Sequence, residues 1–291
     1  MILPQDDWPA AARRWRRAEE LGFDHAWTYD HLSWKTLADE RWHATVPVLT
    51  AAATVTERIE LGLFVASPNY RHPVPFAKDL ATLDDIAGGR LLLGVGSGGT
   101  GFDAFVLGQP ELTPRERHER FVEFVDDLDL LLRFEEPGSG GISFDGDWFT
   151  ADAARMVGRP AREPRMPLLV AGNGPRAIRY AADVGDGWIT TGGLEDDREE
   201  WWRGVADLAA RFDDATVASG GADAPRRVLS LDGGSGYSLA SASVYEDEVA
   251  RAAALGFTDV VAHWPRTDGI YAGDERVLDE VAAWIASGRT A

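Results

Sequence analysis

The chain has 291 residues, of which 45% are hydrophobic and 26% charged, a mix that buries a full core and excludes disorder as the ground state. With 29 Lys and Arg against 48 Asp and Glu the net charge is −19, which repels phosphate backbones and anionic headgroups and argues against nucleic acid or membrane partners. There are 0 cysteines, which excludes disulfides, thiolate metal sites and cysteine nucleophiles.

In chain order, Ile2 and Leu3 give a short first apolar run. Residues 8 to 21 read as a helix with Pro9 near its start, Gly22 stops it, and Phe23 to Tyr29 continue as a buried strand. Ile59 to Val65 is the next apolar run. Residues 74 to 87 repeat the helix, with Gly88 and Gly89 before a strand from Arg90 to Val95. Thr113-Pro114-Arg115-Glu116 is a capping box that opens a long helix. The stretch from Glu135 to Pro167 is irregular and rich in Gly and Pro, with Phe144 to Phe149 reading as a small hairpin that turns at Asp145-Gly146. Leu168 to Ala171 is a strand, residues 175 to 184 a helix, and Trp188 to Thr191 a strand after Gly185 and Gly187. Arg227 to Leu231 and Phe257 to His263 are the last two strands, with a helix over 244 to 255 and Gly256 between them.

Strands that alternate with helices pair in parallel, because a parallel connection has to cross over. Eight such runs in 291 residues predict one closed (β/α)8 barrel over residues 1–291, with residues 135–167 as an insertion; an open doubly wound sheet is the competing architecture. No run reaches the roughly 18 apolar residues of a bilayer span, and the early Arg13, Arg14, Arg16 and Arg17 do not resemble a signal peptide, so the expected location is the cytoplasm.

Ligands of such barrels bind at the C-terminal strand ends. Those ends carry Asp30-His31, Ala66 to Pro73, Gly94 to Gly99, Ala171 to Pro175, Thr190 to Gly193, and His263 to Arg266. Asp30-His31 is the leading acid–base candidate, because an imidazole exchanges protons near neutrality; a solvated histidine after a strand is the alternative. Gly94-x-Gly96-x-x-Gly99 has dinucleotide-binding spacing, but Thr100-Gly101-Phe102 is not expected to open the helix that this motif requires. A rim turn, or bare backbone against a flat ring, accounts for it equally well. Gly172-x-Gly174 followed by Pro175 is better placed as an anion site. Pro175 suits a first helical turn, Arg176 adds charge, and Thr190 and Thr191 end the neighbouring strand with hydroxyls. Trp34, Trp42 and Trp264 are candidate walls of a flat pocket, and His263 lies at a strand end. His25 is expected to precede its strand. Neither a metal-ligand cluster nor a G-x-S-x-G elbow is present, so neither a metal site nor a serine hydrolase is expected.

Taken together, the chain resembles the luciferase-like family of flavin- and F420-dependent oxidoreductases. The resemblance runs from about residue 8 to 193 through Ala18-Glu19-Glu20-Leu21-Gly22-Phe23-Asp24, Asp30-His31, Arg71-His72-Pro73, Ala81-Thr82-Leu83-Asp84, Gly89-Arg90 and Gly94-Val95-Gly96. It continues through Leu107-Gly108, Phe144-Asp145-Gly146, Ala171-Gly172-Asn173-Gly174-Pro175-Arg176 and Gly185-Asp186-Gly187-Trp188. It implies a (β/α)8 barrel with a tricyclic redox ring across the strand ends. Asp30 and His31 then match a ring-edge pair, and Leu63, Phe64, Val65 and Ala66 a bulge that often holds a non-proline cis peptide. Ser97 and Gly98 match backbone and hydroxyl contacts to the cofactor, Gly172, Gly174, Pro175 and Thr191 match its phosphate cradle, and Ala171, Asn173, Arg176 and Thr190 are further cofactor-binding candidates beside them. His263, Trp34 and Trp264 are assigned to the substrate pocket.

The sugar-phosphate branch of the family has an acidic residue after its G-x-G and uses lysines for the substrate phosphate. Here Gly98 and Gly99 follow Ser97, and the two lysines, Lys35 and Lys78, lie in the N-terminal half. A sugar phosphate is therefore not the expected substrate. The first strand is short for the family, which points to a late start codon or a thinly closed barrel. The leading expectation is hydride transfer between coenzyme F420 and a small organic substrate, with His31 as proton relay. An FMN-dependent two-component monooxygenase served by a separate flavin or F420 reductase is the alternative, and a non-catalytic flavin-binding subunit the third reading. A homodimer is expected, through the Ala10, Ala11, Trp15 and Ala18 face or the Val46, Leu49 and Ala53 face.

Overall fold

The helix, glycine and strand repeat is the element from which the chain is built. The computed structural model describes residues 1–32, 34, 38–99, 102–133, 138, 140–156, 161–220, 225–234 and 236–288. Two compact units emerge, one of residues 1–27 with 168–291 and one of residues 28–167.

In the first unit, α1 (Trp8–Glu20) starts at Asp7, whose carboxylate accepts from Ala10 N at 3.0 Å, and Gly22 beyond its end has φ +85°. The chain then enters β1 (His25–Thr28). Ile2 forms isolated parallel bridges to Trp27 and His263, so the expected first strand is reduced to single-residue contacts. From Leu168 onward four strands pair in parallel. They are β6 (Leu168–Ala171), β7 (Gly187–Thr190), β8 (Arg226–Ser230) and β9 (Asp259–Val261), in register Val170 to Trp188, Ile189 to Val228 and Leu229 to Val260. The connecting helices are α6 (Pro175–Val184), α7 (Arg198–Ala218) and α8 (Ala242–Ala254), and α9 (Val277–Ala286) closes the chain. The last strand is shorter than the predicted 257–263.

Trp188 anchors this core, stacked on Phe212 at 4.8 Å and on Phe257 at 5.9 Å, with its indole N–H donated to Gly172 O at 2.8 Å. His25 is the first residue of β1 rather than a residue before it, and is 6% exposed. It accepts from Trp27 Nε1 at 2.7 Å and donates from Nε2 to Asp259 at 3.1 Å, while Arg226 forks onto the same carboxylate at 2.9 and 2.6 Å. His25 and Arg226 outweigh burial and hold the Asp259 carboxyl well below the usual range. This histidine is part of the scaffold.

The second unit holds α2 (Thr45–Ala53), β2 (Glu60–Ala66), α3 (Pro73–Ala87), β3 (Leu91–Gly96), α4 (Phe102–Val106) and α5 (Pro114–Leu132). The capping box forms as predicted, with Glu116 N on Thr113 Oγ1 at 3.2 Å and Thr113 N on Glu116 Oε2 at 2.8 Å. β2 and β3 pair in parallel, and Phe76 stacks on Phe124 at 6.1 Å beneath them. The predicted hairpin is β4 (Ile142–Asp145) and β5 (Thr150–Ala154), antiparallel and wider than expected, with residues 146–149 as its connection. The side chain of Glu123 on α5 accepts the N–H groups of Asp147 at 3.1 Å, Trp148 at 2.8 Å and Phe149 at 2.6 Å, so one carboxylate seats the whole turn. Buried Asp84 on α3 does the same for the segment that follows, accepting from Ala161 N at 2.7 Å and Arg162 N at 3.3 Å.

Of the two faces expected in a dimer, most residues are buried within the chain, while Ala10 and Val46 stay half-buried. Ala11, Trp15 and Ala18 on α1 are at most 7% exposed, and Leu49 and Ala53 on α2 at most 6%. No described helix is long and apolar enough to cross a membrane.

Candidate active site

β1 stops at Thr28, so Tyr29 to Leu32 leave a strand end as a loop, held by Thr45 Oγ1 donating to Tyr29 O at 2.7 Å. Asp30 is 0% exposed, and a buried carboxylate requires partners. Arg71 supplies them as a fork, Nε to Oδ2 at 3.1 Å and Nη2 to Oδ1 at 2.5 Å. Burial, with the Asp30 charge beside it, pushes the Tyr70 phenol far above its usual range. Asp30 is thus committed to an ion pair and is unsuited to proton transfer. The Asp30-His31 doublet of the sequence splits into two different partnerships.

His31 pairs instead with Asp103 on α4, Nδ1 to Oδ2 at 2.8 Å. The second oxygen of Asp103 accepts the N–H of Leu32 at 2.6 Å, and the carboxylate is 2% exposed. An ionised carboxylate only accepts, so Nδ1 carries the proton and Nε2 keeps its lone pair. Nε2 has no hydrogen-bond partner among the described residues, and the ring is 17% exposed. The imidazole stacks on Trp34 at 4.3 Å, with Trp42 at 5.8 Å and Tyr29 at 6.3 Å. Trp34 and Trp42 therefore do wall one place. The Trp42 indole N–H is buried without a partner among the described residues, an orphaned donor in this wall.

The strand ends of the same unit hold the residues expected to face a ring. Register between β2 and β3 slips from Leu63 opposite Leu93 to Ala66 opposite Val95, which is a bulge, and the Phe64–Val65 peptide within it is cis. Leu63 and Ala66 are fully buried, Phe64 is 7% exposed and Val65 half-buried. Ser97 is half-buried. Gly98 has φ +81°, and a Cβ there would overlap the Asn69 amide. Asn69 Nδ2 donates to Gly98 O at 2.8 Å and its Oδ1 accepts from Arg120 at 2.5 Å, so a buried chain of three residues fixes this turn. The expected break at Thr100 and Gly101 lies outside the described residues. A helix does open beyond it, five residues long, at Phe102.

In the unit of residues 1–27 and 168–291, α6 begins at Gly174 with no side chain capping it and Pro175 in its first turn. Gly174, Pro175 and Arg176 are exposed, and Ala171 and Gly172 half-buried. A Cβ on Gly172 would lie 2.5 Å from that of Ala177, so the Gly-x-Gly-x-x-Ala spacing is a close approach of strand end to helix. Thr190 is 1% exposed, donates to Asn173 Oδ1 at 2.7 Å and accepts from Gly192 N at 3.0 Å. Asn173 in turn donates to Gly192 O at 2.5 Å. Thr190 and Asn173 are struts of the notch whose polar groups are spent within the chain, which removes the expected donation from Thr190 to an anion. Thr191 is exposed, and no hydrogen bond occupies its hydroxyl among the described residues.

His263 is 3% exposed, donates from Nδ1 to Asp232 at 2.9 Å, and stacks on Tyr271 at 3.8 Å. Burial depresses its basicity, partly offset by Asp232, whose own carboxyl is held low by His263 in spite of burial. Trp264 is 1% exposed and donates its indole N–H to Glu275 at 2.9 Å. These two side chains are buried in the packing of their unit.

The match to known proteins is extensive. The description "luciferase-like monooxygenase" fits residues 2–230. The chain belongs to this family. An F420-dependent glucose-6-phosphate dehydrogenase of Beutenbergia cavernae is 40% identical over 178 residues, 60% of this chain and 50% of that protein. An F420-dependent hydroxymycolic acid dehydrogenase of Mycobacterium tuberculosis is 35% identical over 181 residues, 59% of this chain and 46% of its own. The chain spans about half the length of the curated relatives it matches. The solved structure of an F420-dependent secondary alcohol dehydrogenase with an F420-acetone adduct superposes with a TM-score of 0.80 at 18% identity, covering 99% of both chains. That likeness shows the fold, the luciferase-like (β/α)8 barrel expected from the strand and helix order.

Within the family frame each unit, taken by itself, holds residues that fit one part of such a cofactor. The aromatic wall at His31, with an orphaned indole donor, suits a ring, and an uncapped helix start with a free threonine hydroxyl suits an anion. Sequence reasoning missed Asp103, Asn69 and Arg120. Asp103 follows the glycine run at the first turn of a five-residue helix, and that position was its only signal.

Proposed function

We propose that the chain is an oxidoreductase that moves a hydride between coenzyme F420 and an organic substrate, with His31 as the proton relay. The observation that carries this reading is the His31–Asp103 pair. Its Nδ1 is fixed on a buried carboxylate at 2.8 Å, while Nε2 is left without a partner among the described residues on a partly exposed ring. Bound F420 supplies the ring carbon that gives or takes the hydride. The chain's own part is to hold and to move a proton at Nε2 of His31. Asp103 fixes the tautomer that leaves Nε2 basic and stabilises the imidazolium once it forms. Trp34 and Trp42 cover the imidazole and keep water from its face. Ser97, Gly98 and the bulge from Leu63 to Ala66 are assigned to the ring. Gly172, Gly174, Arg176, the N–H of Ala177 and Thr191 are assigned to the phosphate, with Asn173 and Thr190 shaping the notch.

The reading includes a homodimer in the cytoplasm, served by a separate flavin or F420 reductase. The acidic composition argues against nucleic acid and anionic lipid as partners, and light scattering tests the dimer. The decisive measurement is quenching of cofactor fluorescence by the purified chain. Micromolar binding of F420 is expected. Micromolar binding of FMN with none of F420 would replace the proposal with the two-component monooxygenase.

A further inference from the structure

Arg120 on α5 is a buried charge without a countercharge. It is 7% exposed, and its hydrogen bonds go to neutral amides, from Nη2 to Asn69 Oδ1 at 2.5 Å and from Nη1 to Gln109 Oε1 at 3.4 Å, the second at the long limit of such a bond. Nε has no partner among the described residues. Arg165, the other arginine buried to this degree among the described residues, is neutralised by Asp129. Arg120 is not, and burial together with the charge of Arg117 presses its basicity down. A buried unpaired charge is costly, so its neighbours show what it does there.

On one side lies Asn69, which is fully buried. A guanidinium only donates, so Oδ1 of the amide faces Arg120 and Nδ2 faces the Gly98 carbonyl at 2.8 Å. Cation, amide and carbonyl form one polarised line in which each bond strengthens the next. On the other side lies the connection of the β4–β5 hairpin. The Trp148 ring covers the guanidinium at 5.9 Å, and Phe149 meets His72 edge-on at 5.5 Å. Glu123, which moors this connection, stands one helical turn beyond Arg120 on α5. The same helix therefore holds the hairpin by a carboxylate and the Gly98 turn by a cation, and Trp148 joins the two.

We infer that Arg120 is a positioning residue through which the insertion hairpin sets the Gly98 turn. Its unneutralised charge, covered by Trp148, fixes the rotation of Asn69 and with it the direction of the Gly98 carbonyl, so the hairpin acts on the affinity for a redox ring through Arg120 and Asn69. This rests on the assignment of Gly98 to the ring. A neutral side chain of similar length would fill the space but give Oδ1 of Asn69 no donor to hold it.

The test applies two readouts to Arg120→Met, Arg120→Lys, Asn69→Ala, Trp148→Leu and the double variant Arg120→Met with Asn69→Ala. In the cofactor-free chain the backbone order parameters of Gly98 and Gly99, about 0.85 in a fixed turn, should fall below about 0.6 in Arg120→Met and in Asn69→Ala. Quenching of F420 fluorescence, with FMN measured alongside, should show about tenfold weaker binding in these two variants of whichever cofactor the wild type takes. Trp148→Leu, at a half-buried position, should weaken it about threefold, and Arg120→Lys, which keeps the charge, should recover most of the loss. The double variant should bind no worse than the weaker single one, because both break the same line. A merely structural arginine would lower the melting temperature and leave affinity and order parameters unchanged, and two independent losses would multiply. Either result would overturn the inference. Should Arg120→Met fail to fold, Trp148→Leu with wild-type affinity and a rigid Gly98 would overturn it equally. If the turn loosens as expected while the wild type binds neither cofactor, the cofactor assignment falls and the clamp on the turn remains.

Discussion

Replacing Asp103 by Asn keeps the shape of the side chain and removes the property on which the site depends. The carboxylate is 2% exposed and accepts from His31 Nδ1 at 2.8 Å and from Leu32 N at 2.6 Å. An amide can accept only one of them through its oxygen and must present N–H to the other. If the oxygen stays on Leu32, the amide donates to Nδ1, and the imidazole proton is driven to Nε2, where the base should be. Losing one bond to a buried charged group costs about 2 kcal/mol, so the melting temperature should fall by about 4 °C. The kinetic loss is larger. General base catalysis contributes about 100- to 10,000-fold, and F420-dependent turnover should fall at least about 100-fold while F420 affinity stays within about threefold. Long-range proton–nitrogen spectra of the six histidines report the tautomer directly. Turnover within about threefold of wild type in a variant whose spectra show the flipped tautomer would refute the role of His31.

Gly98→Ala places a methyl on the Asn69 amide at φ +81°, which should destabilise by about 1–3 kcal/mol in thermal unfolding, with part of the loss recovered when Asn69→Ala is added. Thr191→Ala should weaken F420 binding about tenfold with little change in melting temperature. Thr190→Ala should lower stability by about 1–2 kcal/mol, because its hydroxyl joins Asn173 to Gly192. His25 and His263 are bases whose native values are pressed below 6.5, chiefly by burial. The unfolded chain therefore binds protons first, and stability present above pH 6.5 is lost as the pH falls below it. The melting temperature should drop between pH 7.5 and 5.5, and His263→Gln should shrink that difference.

The repeats at 8–29 and 74–95 were legible because helix period and glycine punctuation coincide, and Gly22 at φ +85° and Gly88 at +64° show why glycine stands there. The start of α6 was legible for a similar local reason, since Pro175 opens it as its letter predicts. What was not legible depends on pairs far apart in sequence. Asp30 finds Arg71 forty-one positions on, and His31 finds Asp103 seventy-two positions on, so two adjacent letters that read as one doublet serve different ends. The division of labour between Thr190 and Thr191 also follows from alternation along a strand end, which buries one hydroxyl among struts and exposes the next. The burial of His25 in β1 was not legible either, because the Asp259 carboxylate that makes a buried imidazole tolerable there lies far along the chain.

The grip of Glu123 on residues 147–149 uses main-chain N–H groups alone. Any amino acid except proline offers the same handle. At exposed Asp147 the letter is thus free to change over evolutionary time, or under an engineer's hand, without losing the mooring, whereas buried Phe149 keeps its ring for packing on Phe124, and exchange of the one glutamate would set the whole hairpin adrift.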